Sequence, residues 1–198
     1  MGGLSPMMRH YLEVKEKYKD CIIFYRLGDF YEMFFEDAKE VSQLLDLTLT
    51  GRDCGLAERA PMCGVPFHAA DTYIAKLVGM GKKVAICEQL TEPTPGKGMV
   101  ERDVIRVVSA GTLIEENLLD EKKNNYIVCA FREGTQCALA WADITTGEFC
   151  TRIFTGEKFL QDSLEELVKL SPAEIICNDG YLLGTKGEPA LRALPPFS

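Results

Sequence analysis

Gly28-Asp29-Phe30-Tyr31-Glu32-Met33-Phe34 is the stretch on which the reading of this chain turns. It sets an aromatic ring and a carboxylate two positions apart, directly after the apolar run CIIFYRL (Cys21–Leu27). That run has strand composition, and Gly28-Asp29 is the break after it. From Tyr31 to Leu45 the pattern turns helical, with Phe34, Ala38, Val41 and Leu45 on one stripe. The motif is therefore expected at a strand-to-helix corner. There a ring can project as a wedge, and the nearby acid can accept a hydrogen bond from whatever the wedge exposes. Phe-rich corners are ordinarily core, so the heptapeptide alone does not decide between packing and recognition.

Working outward, Ser5-Pro6 reads as the cap and first position of a helix carrying Met8, Tyr11, Leu12 and Tyr18. Downstream, Leu47 to Thr50 alternates like a short strand, and Gly51 to Pro66 reads as a loop rich in Gly, Arg and Pro. A helix with Tyr73, Ile74, Leu77 and Val78 follows and ends at Gly79 or Gly81. Strands are expected at Lys83–Leu90 and Asp103–Val108, separated by the turn-rich loop Thr91–Gly98. The charged segment LLDEKKNN, Leu118 to Asn125, suits a domain boundary. It divides the chain into residues 1–117, a linker at 118–125, and residues 126–198. Beyond it lie strands Tyr126–Phe131, Ala138–Thr145 and Phe149–Phe154, the last two joined through Thr146-Gly147. A helix (Leu160, Leu164, Leu167, Val168) and a strand (Glu174–Cys177) complete an α/β pattern that stops early. The tail from Gly184 shows no clear periodicity, so the second domain reads as incomplete.

The 198 residues allow one large domain or two small ones, with ample apolar content for a core. No run approaches the ~18 apolar residues that span a bilayer, and the N-terminus shows no secretory signal, so a cytoplasmic setting is expected. Eight cysteines without C-x-x-C spacing, and only His10 and His68 as histidines, give neither a zinc site nor a disulfide framework. Cys21, Cys87, Cys129 and Cys177, inside apolar strand runs, are expected as free, mostly buried thiols. The net charge is −8. Fourteen basic residues face 19 acidic ones up to Asp120, and 8 face 11 beyond it. Bulk phosphate neutralisation is therefore excluded as a source of nucleic-acid affinity, which is expected to be poor for this region alone.

Enzymatic chemistry finds little support. There is no phosphate-binding loop, no G-x-S-x-G elbow, and scant material for a nucleophile–base pair. The stretch ADITTGEF around Asp143 resembles ribonuclease-H-like nucleases. Two-metal chemistry needs several converging carboxylates, however, and only Asp143, Glu148, Glu174 and Asp179 are at hand. A solvated strand-end acid is the simpler reading. Arg52, Arg59 and His68 are the basic side chains best placed to reach a phosphate from an exposed loop. A different class stays open: an acidic adaptor module with Phe30, Phe34 and Met62 as its partner surface.

Five segments together, Phe24–Ala38, Leu44–Arg52, Pro61–Ala69, Tyr73–Gln89 and Val100–Thr112, resemble the N-terminal mismatch-recognition domain of the MutS family, in the family's order. The region from about Asn124 resembles the start of the family's connector domain. The resemblance implies an α+β recognition domain, a mixed sheet flanked by helices, followed by a partial α/β connector of ribonuclease-H-like topology without nuclease activity. It implies binding to double-stranded DNA carrying mismatches or small insertion/deletion loops. The family's Phe-x-Glu motif falls on Phe30, which would enter the minor groove and stack on the defective base, and on Glu32, which would hydrogen-bond to it. Backbone contacts are implied for Arg52, Met62, His68 and Arg102. No catalytic, metal or cofactor residue is implied here. ATP and Mg belong to the family's ATPase domain, as does most of the dimer interface. The region alone is expected to be monomeric, the full-length protein a dimer with a MutL-type partner.

Overall fold

Ser5 caps the first helix, α1 (Pro6–Lys17), its hydroxyl accepting from the Met8 amide at 3.4 Å, with Pro6 in the first turn. The computed structural model describes residues 3–91, 100–113 and 124–197. Two units partition the chain, Met1–Ser109 and Ala110–Ser198, each with its own sheet and core. The expected Thr91–Gly98 loop and 118–125 linker fall largely outside the described residues.

In the first unit α1 is followed by β1 (Cys21–Leu27), β2 (Phe30–Phe34), α2 (Phe35–Leu45), β3 (Thr50–Arg52), β4 (Ala60–Pro66), α3 (Ala70–Gly79), β5 (Lys83–Gln89) and β6 (Arg102–Val108). The sheet order is β3-β4-β2-β1-β5-β6, with β1 and β5 parallel and the other neighbours antiparallel. Cys21 to Tyr25 are all buried, as a central strand covered on both faces requires. On one face α1 lays Met8, Tyr11 and Val14 against Ile23, Tyr25, Phe34 and Ala60. The other face is covered by α2 and α3. The Asp37 carboxylate ties α1 to this frame, accepting from Tyr11 Oη (2.9 Å) and the Ile23 amide (3.0 Å) and pairing with Lys15 (2.9 Å).

Two expectations need correction. The Phe30 motif is not a strand-to-helix corner: β1 and β2 form an antiparallel hairpin whose last pair is Leu27 with Phe30. Gly28, at φ +59°, is the first of two turn residues, the place where a tight hairpin takes glycine. The switch to helix comes five residues later, at Phe35, whose φ of +54° is rare for an aromatic residue. The run FYEMFF is apolar enough to satisfy both a period of two and a period of 3.6, which is why the helical stripe reads too far back. The second correction is β4, read as loop because Pro61, Gly64 and Pro66 punctuate it. It lies instead between β2 and β3.

The second unit holds β7 (Tyr126–Glu133), β8 (Gln136–Asp143), β9 (Glu148–Phe154), α4 (Phe159–Leu170), β10 (Glu174–Cys177) and α5 (Asp179–Thr185). Its sheet runs β10-β7-β8-β9, an antiparallel meander with β10 added in parallel, the ribonuclease-H-like arrangement expected. Val128, Ala130, Leu139 and Ile175 pack with Leu164 and Leu167 of α4 and Tyr181 of α5. α5 was not read from sequence and only its last two residues, Gly184 and Thr185, fall in the stretch without periodicity; the Asn178 side chain starts it, accepting from the Tyr181 amide at 3.1 Å. Free thiols are confirmed for all eight cysteines, but Cys129 is exposed, on the sheet face opposite that core.

Candidate functional site

Directly paired residues in an antiparallel sheet project to the same face. Phe30 pairs with Leu27 and Pro66, Glu32 with Tyr25 and Gly64, Phe34 with Met62, Met62 with Thr50, and Gln89 with Arg102. Phe30, Glu32, Arg52, Met62 and Arg102 therefore share the face on which α1 sits. α1 covers only part of it: Phe34 is fully buried, whereas Phe30 at the hairpin tip is 47% exposed. The sixth residue, His68, is exposed in the turn Phe67–Ala69 that follows β4.

The tip is held from both sides. The Phe67 amide donates to Asp29 O at 2.9 Å, tying the hairpin to the β4–α3 turn. On the β5–β6 side the Gly28 amide donates to Gln89 Oε1 at 3.2 Å. Arg102 donates from Nε to Arg26 O (2.9 Å), from Nη1 to Val100 O (3.0 Å) and from Nη2 to Gln89 Oε1 (3.2 Å). In this structure Arg102 thus clamps the hairpin base. Arg59, the other basic candidate, is exposed in the loop before β4, its Cβ and Nε beside Gly51.

Glu32 and Arg52 form an ion pair, Nη1 to Oε2 at 2.5 Å, across the intervening strand β4. Gly64 lies opposite Glu32 and leaves space there: a Cβ on it would stand 3.4 Å from Glu32 Cγ. On the opposite face Arg26 stacks over the Phe67 ring at 3.9 Å and meets Glu88 at 3.4 Å, and the Tyr31 hydroxyl donates to the same carboxylate. Burial, and then that bond to Glu88, push the Tyr31 phenol well above its ordinary value. Arg26 and Phe67, the latter 47% exposed, were not singled out from sequence. Only the turn that brings β4 beside the hairpin puts them together.

Asp143 is buried at the end of β8 and accepts from the Asn125 amide (2.9 Å), the Thr145 amide (2.9 Å) and the Thr145 hydroxyl (2.6 Å). Burial works to raise its pKa, and these hydrogen bonds outweigh it, holding the carboxyl below its ordinary value. This is an acid that shapes a turn, not the solvated strand-end acid expected. Among the described residues no group of three or more His, Cys, Asp or Glu could hold a metal ion.

The site is thus an exposed ring on a braced hairpin, beside an ion-paired acid, mounted on an α+β unit. Family comparison agrees with that architecture: residues 5–117 match the model of MutS domain I and residues 125–189 that of MutS domain II. The chain belongs to the MutS family. It is 56% identical over 181 residues to the DNA mismatch repair protein MutS of Acetivibrio thermocellus, covering 91% of this chain and 21% of that protein. The protein of the same name from Ruminiclostridium cellulolyticum is 56% identical over 179 residues (90% and 20%), and that from Clostridioides difficile 55% over 179 residues (90% and 18%). The chain thus spans about a fifth of the length of the curated relatives it matches.

Proposed function

We propose that this region reads mismatched or unpaired bases in double-stranded DNA during mismatch repair. Phe30 enters the minor groove and stacks on the defective base, and Glu32 hydrogen-bonds to that base. The observation that carries the reading is the half-exposed Phe30 ring on a hairpin tip braced from two sides, with Glu32 beside it on the same open face. Unstacking a base step costs a few kcal/mol and costs least where pairing is already faulty, so discrimination comes from deformability rather than from groove lettering. Stacking on an aromatic ring returns about 1–3 kcal/mol whatever the base. A chain of net charge −8 can work this way when further DNA contacts come from elsewhere in a protein of its relatives' length. Nucleotide hydrolysis, dimer formation and docking of a MutL-type partner are assigned on this reading to those other parts, and this region is neither an enzyme nor a nucleotide binder. The setting is cytoplasmic, on DNA; no helix among the described residues is long and apolar enough to cross a membrane.

The adaptor alternative loses its surface. Phe34 is fully buried against Tyr11 and Met62 is half-buried over the α1 core, so Phe30 does not belong to a contiguous three-residue patch.

The test is Phe30→Ala in the full-length protein that carries this region, titrated by fluorescence anisotropy with matched and single-mismatch duplexes. Loss of about 1–3 kcal/mol of stacking would cut the mismatch preference by about 5- to 150-fold, with little change on matched duplex. A variant that keeps its mismatch preference would overturn the reading.

A further inference from the structure

The Glu32–Arg52 pair joins residues twenty positions apart on strands that are not neighbours, with β4 passing between them. Two features make it more than a chance surface contact. The carboxylate is the sheltered member, its side chain 14% exposed against 38% for the guanidinium. Gly64 lies directly opposite Glu32, where a Cβ would press on Tyr31 O at 3.3 Å and touch Glu32 Cγ at 3.4 Å. The contact engages Oε2 only. Oε1 is left for a second donor, on the same sheet face as the Phe30 ring.

We propose that Arg52 is a positioning residue for Glu32. It fixes the rotamer of the carboxylate by holding one oxygen, and its positive charge offsets the repulsion a bare carboxylate would meet on approaching phosphates. This inference rests on the mismatch-reading function proposed above. It differs from a plain backbone contact in a measurable way. An arginine that only binds phosphate weakens matched and mismatched duplex alike. An arginine that acts through Glu32 changes only what Glu32 contributes, so its effect vanishes once Glu32 is disabled.

A double-mutant cycle in the full-length protein separates the two roles: Arg52→Gln and Glu32→Gln, singly and together, each titrated with matched and single-mismatch duplexes. Groups in contact commonly show coupling near a factor of ten. Arg52→Gln is therefore expected to shift the mismatch-over-matched ratio about tenfold in the Glu32 background and to leave it unchanged beside Glu32→Gln. Arg52→Lys, which keeps the charge but gives up the planar fork, is expected to recover part of that shift, and it carries the test if Arg52→Gln unfolds more readily. Equal shifts in both backgrounds, or equal weakening of both duplexes with the ratio untouched, would overturn the proposal. If Phe30→Ala abolishes mismatch preference while the cycle is additive, only the positioning role falls. If Phe30→Ala retains the preference, the function itself falls.

Discussion

Phe34→Ala and Phe30→Ala delete the same ring four residues apart on one sheet face, and the fold demands very different consequences. Phe34 is fully buried and stands edge-on to Tyr11, with ring centres 5.1 Å apart and planes at 86°. It sits where α1 meets the sheet, and its amide donates to the Tyr11 hydroxyl at 3.3 Å. Removing a fully buried Phe side chain costs about 3–5 kcal/mol, because the lost transfer energy is joined by that of the cavity left behind. Phe30 keeps about half its surface in water already. Full burial of such a side chain is worth about 1.5–3 kcal/mol, so its truncation forfeits about 1 kcal/mol, and no enclosed void remains. A small domain's whole stability is about 5–15 kcal/mol, so the first change brings the unit near its limit and the second does not. Urea denaturation followed by far-UV circular dichroism, with midpoints compared at constant slope, measures both. Equal losses for the two variants, or Phe34→Ala within 1 kcal/mol of the parent, would refute the assignment of one ring to the core and the other to the surface.

Two further outcomes are expected in the second unit. Asp143→Asn should cost about 1–3 kcal/mol at neutral pH, the range for charge-assisted hydrogen bonds at a buried site. Because the folded carboxyl titrates below its unfolded value of about 3.9, its contribution is complete above that pH and is lost as the pH falls through the lower folded value. The variant should therefore show a flatter loss of stability below about pH 4, and an unchanged acid limb in a pH series of urea melts would count against this. On the edge strand β9, Phe149 and Ile153 are 70% and 69% exposed. Their joint replacement by Thr should move the unfolding midpoint by no more than about 0.5 kcal/mol and reduce concentration-dependent light scattering; a loss above 1 kcal/mol would show that they pack.

How far the sequence could be read follows from which interactions are local. β1, β5 and the meander β7–β9 declare themselves because each is an apolar run closed by a turn. α3 and α4 do so because their stripes persist for three turns. β4 hides because two prolines and a glycine mimic a loop, and the space left by Gly64 acquires meaning only beside Glu32. The hairpin hides because its second strand carries large apolar residues on both faces, Phe30 and Phe34 on one and Tyr31 and Met33 on the other. Phe30 and Glu32 were legible as a motif whatever the backbone, since a separation of two residues places them on one side of a strand. The Glu32–Arg52 pair and the Arg102 clamp were not, for both depend on which strands lie next to which. Arg102 shows the consequence most clearly. The family resemblance implies a DNA-backbone contact for it; the fold adds that its donors go to Arg26, Val100 and Gln89.

That difference bears on how an acidic region could act as the reading head proposed above. Around the tip, local pairing matters more than total charge. Glu32 on one face and Glu88 on the other each meet a guanidinium, from Arg52 and Arg26. Asp29, exposed at the tip itself, has no such cation among the ion pairs of the described residues, whereas Glu16, Glu36 and Glu40 on the helices pair with Lys19, Lys39 and Lys82. What the tip offers is stiffness: three hydrogen bonds, donated by Gly28, Phe67 and Arg102, tie its backbone to neighbouring elements or to the side chain of Gln89. A wedge works by making the softer partner yield. On the proposed function, with the hairpin braced and Glu32 and Glu88 paired, a base step would have to open for the ring to enter, and a step already weakened by a mispair would open at the lower cost.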